Sequence, residues 1–320
     1  MNFADLAEHF TDEAKAHTFV EGLLWAEGPV CPHCGSVGQS YRLQPNEDTK
    51  VRVGLWKCTP CRKQFTVKVG TIFEASHIPL RKWLMAIYLM CSSKKGVSAN
   101  QISRSLGISY KSAWHLCHRI RLAMTKEPLL TKLGGNRDSV IEADETFIGG
   151  KSKNRHRSKR KTAPKKTIVV TLIDRDGEAR TFVAPNRRWG TLQSLVIPNV
   201  NGTATIVTDE NVAYHNPDRR FREHHTVNHS RGEYARRAGQ GAFVRGLVVH
   251  TNFAESYHSL LKRGIIGTYH HVSSKHLPRY LREFEFRWNS RKITDGERTL
   301  EAVRGARGKR LIYRSPLNRL

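Results

Sequence analysis

Three acidic residues stand at places in the sequence where a carboxylate needs a partner. Asp144 lies within an apolar stretch that predicts a strand, Asp209 follows a second predicted strand, and Glu255 opens a predicted helix. A charge inside an apolar strand has to be paired or bound to a metal ion. Converging carboxylates favour hard cations such as Mg²⁺ or Mn²⁺, and two such ions about 3.5–4 Å apart can drive displacement at a phosphodiester. The three residues therefore predict a two-metal site that acts on phosphodiesters.

Two further acidic residues flank Asp144. Because side chains alternate along a strand, Glu142 shares the face of Asp144 and is a candidate neighbour of the site. Glu145 faces the opposite way, and we expect it to pair with a basic residue. Lys262 lies two helical turns after Glu255, so these two residues share one face of their predicted helix.

Four cysteines near the N-terminus could hold a different metal. Cys31 and Cys34 form one CxxC pair, and Cys58 and Cys61 form another. Two such turns supply four thiolates to one tetrahedral ion, and the spacing is typical of a zinc ribbon with one structural Zn²⁺. The alternative is a pair of disulfides. Because a zinc ribbon is a small binding module, we expect the chemistry elsewhere in the chain.

The order of the predicted elements can bring the acidic residues together. Three strands, the last two joined by a hairpin turn, precede helix Trp189–Val200 and the buried strand Ala204–Thr208, and a helix over 251–263 carries Glu255. This order is that of an RNase H-like α/β fold. The first three predicted strands are Val140–Ile148, Lys166–Ile173 and Ala179–Ala184.

The segment between the cysteines and the strands predicts a pair of helices. Gly107 would take the left-handed conformation between them, and Ser109 would cap the second helix. This is the arrangement of a helix-turn-helix, in which the second helix reads DNA. The alternative is an ordinary helical hairpin. The residues expected to face DNA are Ser109, Tyr110, Lys111 and His115.

The composition indicates a polyanionic partner. The chain has 54 Lys and Arg against 28 Asp and Glu, a net charge of +26, which favours nucleic acid over membrane. The sequence shows no apolar run of about 18 residues and no signal pattern at its N-terminus, so we expect a cytoplasmic protein. A basic run between the first two strands should contact the phosphate backbone through Lys153, Arg155, Arg157, Lys159, Arg160 and Lys161.

Taken as a set, these motifs give a specific resemblance. The chain resembles the DDE transposases of bacterial insertion sequences, in the group with an N-terminal transposase zinc ribbon, over nearly its whole length. The resemblance rests on the four cysteines and on the segments Ala143–Lys151, Thr208–Glu210, His250–Arg263, Gly267–Ser273 and Phe286–Asn289.

The resemblance implies a function and a set of ligands. Asp144 and Asp209 would be the first two ligands of the Mg²⁺ or Mn²⁺ pair and Glu255 the third, with Asn252 open as an alternative or as a neighbour of the ligands. Lys262, with Arg263 beside it, would touch transposon-end DNA. The expected enzyme binds terminal inverted repeats, hydrolyses the phosphodiester at the ends and transfers the 3′-OH strands to target DNA. Its expected partners are double-stranded DNA and further copies of itself, at the bacterial nucleoid.

The fold class expected is a multidomain α+β protein. Two other functions stay open: a DNA-binding regulator derived from a transposase, and a metal-dependent nuclease without strand transfer. The expected domains are an N-terminal helical segment (1–28), the zinc ribbon (29–75), a helix-turn-helix-like region (76–130), an RNase H-like catalytic domain (138–292) and a basic C-terminal tail (293–320).

Overall fold

The computed structural model describes residues 3–44, 50–126, 131–136, 138–149, 166–214 and 220–312. The chain divides into two compact units, the described residues of Met1–Lys126 with Ser290–Leu320, and those of Glu127–Asn289. Across the described ranges, no helix is both long and apolar enough to cross a membrane. The six basic residues expected to contact phosphate, Lys153, Arg155, Arg157, Lys159, Arg160 and Lys161, lie outside the described residues.

The first unit opens with two helices and a small antiparallel sheet of three strands in the order β1-β2-β3. The Trp25 ring packs edge-on against Trp56 and Phe65, beside the buried Cys31 and Cys58. This core is too small to be stable without a further cross-link, which is the usual condition of a metal-bound ribbon. The elements are α1 (Phe3–Phe10), α2 (Glu13–Leu24), β1 (Ser40–Arg42), β2 (Trp56–Cys58) and β3 (Gln64–Phe65).

Three more helices follow in the first unit. They are α3 (Leu80–Ser92), α4 (Ala99–Leu106) and α5 (Tyr110–Ala123). Gly107 ends α4 with φ of 59° and ψ of 49°, and the Ser109 hydroxyl accepts a hydrogen bond from the Ser112 backbone N–H at the start of α5. Both local predictions are confirmed, because a left-handed glycine and an N-terminal serine are what a tight turn between helices requires.

The second unit is built on a five-stranded mixed sheet in the order β6-β5-β4-β7-β8. The strand β4 at its centre pairs antiparallel with β5 and parallel with β7, and β8 continues the parallel half. Its strands and first helix are β4 (Val140–Ile148), β5 (Thr167–Asp174), β6 (Ala179–Ala184), α6 (Trp189–Val196), β7 (Thr205–Asp209) and β8 (Glu223–Val227).

The remaining elements of the second unit are a short hairpin and two helices: β9 (Arg236–Arg237), β10 (Val248–Val249), α7 (Asn252–Gly264) and α8 (Leu277–Asn289). Helices cover both faces of the sheet. One face packs on α6 around Leu192 and Val196, and the other packs on α7 and α8 around Tyr257, Leu261 and Phe284. The side chains of β4 alternate between these two cores.

The C-terminal segment differs from the basic tail expected over 293–320. A helix, α9 (Asp295–Arg304), begins with a capping box between Thr294 and Glu297 and buries Ala302 and Val303. It contacts α3 of the first unit, where the Arg298 guanidinium donates to the Cys91 carbonyl at 3.0 Å. Its exposed side chains are the charged residues Glu297, Glu301 and Arg304, while its narrow apolar face packs into the unit.

Candidate functional site

Asp144 and Asp209 lie side by side on the two central strands. The parallel register pairs Ala143 of β4 with Thr208 of β7, so the next residue of each strand stands at the same level of the sheet. One carboxylate oxygen each from Asp144, Asp209 and Glu145 lies within 4.8 Å of the others. The element order predicted that Asp144, Asp209 and Glu255 converge. The structure brings the first two together, with Glu145 and not Glu255 as the third member of the group.

The electrostatics of the acidic group favour a cation. Burial, together with the nearby Glu145 and Asp144 carboxylates, raises the pKa of Asp209 to about 6. A raised pKa of this origin means that the ionised group lacks compensation in the protein alone. A divalent ion with oxygen ligands would supply it. The donor set therefore fits Mg²⁺ or Mn²⁺.

Glu145 is held in place by donors on both oxygens. Its Oε1 accepts from the Asn211 side-chain amide at 2.5 Å, and its Oε2 accepts from the Tyr214 hydroxyl at 2.9 Å. Arg187 lies 3.5 Å from Oε1. The expected pairing of Glu145 with a basic residue is therefore present, but no sequence pattern predicts that its carboxylate also adjoins Asp209.

Two residues orient the Asp144 carboxylate. Its Oδ1 accepts from the Glu145 backbone N–H at 2.7 Å, and its Oδ2 lies 3.4 Å from Nδ1 of His258. The other ring nitrogen of His258 lies 2.9 Å from the Thr171 hydroxyl on β5. His258 was not predicted as a site residue, although its position three residues after Glu255 places it on nearly the same face of α7.

Glu255 stands apart from the acidic group. Among the described residues, the group of mutually close carboxylates does not include it. Its side chain is 51% exposed, and the Nε2 of His229 lies 3.5 Å from its Oε1. Asn252, Lys262 and Arg263 are also exposed on α7.

Glu142 is fully buried beneath the start of α7. Its Oε1 lies 2.8 Å from Arg175 Nε and 3.1 Å from His250 Nδ1. Its Oε2 accepts from the backbone N–H groups of Phe253 and Ala254, at 2.9 and 3.1 Å. Glu142 is thus a neighbour of the acidic group, and it anchors the start of α7. No sequence pattern predicted that Arg175 and His250 would contact its carboxylate.

The four cysteine sulfurs of the first unit form a second group of metal-ligating atoms. Cys31 and Cys61 are separated by 3.7 Å between sulfurs, and Cys34 and Cys58 by 3.6 Å. Four sulfurs about 2.3 Å from one ion in a tetrahedron would be about 3.8 Å apart, so this geometry fits one Zn²⁺. Hydrogen bonds from the Cys61 backbone and the Ser36 hydroxyl lower the pKa of Cys58 to about 6, whereas the pKa of Cys61 in the same cluster is raised to about 11, so the case for zinc rests on the sulfur geometry.

The cysteines have no disulfide partners. None of the six, all of which lie in the described ranges, forms a disulfide, and Cys91 and Cys117 are buried in the helices of the first unit. The disulfide alternative for the two CxxC pairs therefore does not hold.

Comparison with known proteins gives matches that include both groups. An ISXO2-like transposase domain matches residues 132–289, and a transposase zinc-ribbon domain matches residues 11–64. A protein of Halobacterium salinarum, described as an uncharacterized protein in transposable element ISH50, is 26% identical over 300 residues, covering 87% of this chain and 91% of its own length.

The two matched domains are those of IS1595-type transposases, and together they span about two thirds of the chain. The chain therefore belongs to the DDE transposases of insertion sequences that carry an N-terminal transposase zinc ribbon.

Proposed function

We propose that this protein is a DNA transposase that binds the terminal inverted repeats of an insertion sequence, cuts the ends and joins them to target DNA. The observation that carries the proposal is the position of Asp144 and Asp209, side by side on adjacent parallel strands. The sheet order, with α7 and α8 packed on one face, supports an RNase H-like catalytic domain.

The proposed reaction has two displacement steps. Water attacks the phosphorus at a transposon end, and the bond to the 3′ oxygen breaks, which leaves a free 3′-OH. That hydroxyl then attacks a phosphorus of target DNA, forms a new phosphodiester and releases a target 3′-OH. Two divalent ions would activate the attacking oxygen and stabilise the leaving oxygen. Asp144 and Asp209 would hold them, while His258 keeps the Asp144 carboxylate oriented.

We assign the third ligand to Glu255. Both oxygens of Glu145 are already hydrogen-bonded to Asn211 and Tyr214, so this side chain is fixed in its present role. Glu255 is exposed, which leaves its rotamer free to turn towards a metal. It also lies one helical turn before His258, which contacts Asp144. Asn252, at the start of the same helix, stays the alternative ligand.

We propose that the first unit recognises the ends. Ser109, Tyr110 and Lys111 form an exposed first turn of α5, with Tyr110 53% exposed, and the first turn of a recognition helix is what enters the major groove. His115 is half-buried one turn further along, at the edge of this surface. The net charge of +26 supports DNA as the partner. We propose that the protein acts on this DNA in the cytoplasm. Two copies acting on two ends would give a homo-oligomer on DNA.

The test uses duplexes with the terminal repeat that flanks the gene. Asp144→Asn and Asp209→Asn should each reduce end cleavage and strand transfer by at least a hundredfold while leaving end binding intact, because an amide keeps the shape but removes the charge that binds the ion. Pre-cleaved ends with a 3′-OH distinguish a transposase from a nuclease, which would not join them to target DNA. Either variant retaining strand transfer within tenfold of wild type contradicts the proposal.

A matched pair of variants tests the third ligand. Glu255→Gln should abolish cleavage with the fold intact. Glu145→Gln should lower stability, because it disturbs the contacts to Tyr214 and Arg187, while the folded fraction keeps measurable cleavage. The opposite pattern would make Glu145 the ligand.

A further inference from the structure

A cavity of about 560 Å³ opens where β4 ends and β5 begins. Its walls combine apolar side chains with amino groups, which is unusual for a gap left by packing. Phe147 and Ile266 contribute apolar surface, Lys166 and Lys262 contribute positive charge, and His270 also lines the cavity. The volume is within the range of about 300–1,000 Å³ that is typical of ligand sites.

The backbone around the cavity departs from regular structure. After α7 the chain continues in a π-helical turn, Ile265–Tyr269, which presents Ile266 with 70% of its surface exposed. His270 follows with φ of 59° and ψ of −45°, a conformation that is unfavourable for a residue with a side chain. π-Helical turns occur frequently at functional sites. The strained backbone of His270 and the exposed side chain of Ile266 together indicate that this surface binds a ligand.

The cavity is close to the acidic group. Phe147 lies three residues after Asp144 on the same strand, ~10 Å away at about 3.3 Å per residue. Arg187 contacts both the cavity and the acidic group. Its guanidinium lies 5.1 Å from the centre of the Phe147 ring and 3.5 Å from the Glu145 carboxylate. A DNA strand whose phosphate lies at Asp144 would therefore have a neighbouring nucleotide within reach of the cavity.

We propose that this cavity binds one unstacked nucleotide of the transposon-end DNA, close to the cleaved phosphodiester. The inference rests on the proposed function. The base would contact the apolar lining of the cavity, to which Phe147 and Ile266 contribute, and the adjoining phosphates would contact Lys166 and Lys262. A base offers a flat apolar face for the first pair, and aromatic side chains bind unstacked bases of any sequence. The phosphates match the two amino groups and the high positive charge of the chain.

The test places 2-aminopurine, whose fluorescence rises when it leaves the base stack, at successive positions of the terminal-repeat duplex. Wild-type protein with Ca²⁺ in place of Mg²⁺ should raise the fluorescence severalfold at one position near the cleavage point and little elsewhere. No rise at any position overturns the proposal. Binding of the free 2-aminopurine deoxynucleotide as tight as that of the duplex, measured by equilibrium dialysis, would assign the cavity to free nucleotides and overturn the proposal as well.

Ile266→Asn should abolish this fluorescence rise and weaken end binding about fivefold or more, in line with the loss of one stacking contact. The residue is exposed, so folding should not suffer. Ile312→Asn is the matched control, because Ile312 is also an exposed isoleucine, 49% exposed, outside the cavity. Lys166→Gln should weaken end binding without moving the responsive position. A fluorescence rise that survives Ile266→Asn contradicts the proposal.

Cleavage of the unlabelled duplex by the same wild-type protein in Mg²⁺ is scored separately. Cleavage without any 2-aminopurine response refutes the nucleotide site alone. A response without cleavage refutes the proposed enzyme activity alone.

Discussion

Glu142 of β4 and Ala254 of α7 are joined by a hydrogen bond from the Ala254 backbone N–H to the Glu142 carboxylate, at 3.1 Å. The same carboxylate pairs with Arg175, whose guanidinium also donates to the carbonyls of Val248 and His250, both at 2.8 Å. The strand that carries Asp144 therefore holds the start of the helix that carries Glu255. A charged group accepting bonds at a helix N-terminus is favoured there.

Glu142→Gln should lower the free energy of unfolding by about 3 kcal/mol, because it leaves the guanidinium of Arg175 without its buried counter-charge. Cleavage by the folded variant should also fall tenfold or more, since the start of α7 is no longer fixed against β4. Urea denaturation gives the first quantity, and cleavage at low temperature, where the variant stays folded, gives the second.

Glu233→Gln is the matched control, because Glu233 pairs with Arg236 at 3.1 Å and the two side chains are 35% and 38% exposed. An exposed pair of this kind contributes less than about 1 kcal/mol. Equal destabilisation by the two variants would show that Glu142 does not anchor the helix.

The sequence predicted the strand that carries Glu142 but not the contacts through which Glu142 holds α7. The strand bounds of β4 and the alternation of Glu142 and Glu145 between its faces follow from local periodicity, and the structure agrees. The contact of Glu142 with Arg175 joins residues 33 positions apart, and that with Ala254 joins residues 112 apart. No local pattern encodes such pairs, and Arg175 stood out only as a turn residue.

Asp209 gives a prediction for pH and metal. A carboxyl group with a pKa raised on folding adds stability below its unfolded pKa, and this contribution is lost as pH rises through the folded pKa. For Asp209 the window runs from 3.8 to about 6. Without divalent ions, wild type should therefore lose about 1–2 kcal/mol relative to Asp209→Asn over this window, after allowance for partial exposure.

Mg²⁺ should make wild type the more stable of the two proteins at pH 7, because an ion that binds only the folded state stabilises that state. Thermal unfolding of wild type and Asp209→Asn, with EDTA and with millimolar Mg²⁺, measures both effects. If Mg²⁺ raises the midpoint of both proteins equally, Asp209 does not bind the ion.

The zinc group gives a third prediction. Cys58→Ser should release Zn²⁺ and unfold the ribbon, since structural zinc supplies about 10 kcal/mol or more of folding free energy in small zinc domains. Metal analysis should find one zinc per chain in wild type and almost none in the variant. Tryptophan emission should shift to longer wavelength, because Trp25 and Trp56 pack beside the cysteines.

Cys91→Ser is the control for this variant, because Cys91 is a buried cysteine outside the ribbon that forms no disulfide. It should keep the zinc and the tryptophan emission of wild type. Wild-type protein that is well folded but contains no zinc would refute the four-thiolate site.

Elements with weak apolar patterns were the ones missed at the sequence level. Strand β8 has four half-buried residues of five and the sequence Glu-His-His-Thr-Val, so it shows no alternation between apolar and polar residues. Edge strands need only one covered side and tolerate such polar sequences. The helix α9 was not predicted for a similar reason. Its solvent-exposed charged residues outnumber the apolar residues that it buries, so its apolar pattern is weak.

DNA affinity should separate two kinds of contact. Binding should weaken steeply with salt, each phosphate contact adding about −0.9 to the log–log slope. Deleting 152–165 should flatten this slope and weaken binding to end and random duplexes alike, because basic side chains that touch only phosphates carry no sequence information.

Lys111→Ala should instead reduce the preference for ends over random DNA, since Lys111 is exposed in the first turn of α5. Lys95→Ala, an exposed lysine outside that helix, is the control. Salt titrations of all variants on both duplexes measure the two effects. If the deletion removes the preference for ends and Lys111→Ala leaves it unchanged, the two segments have the opposite roles.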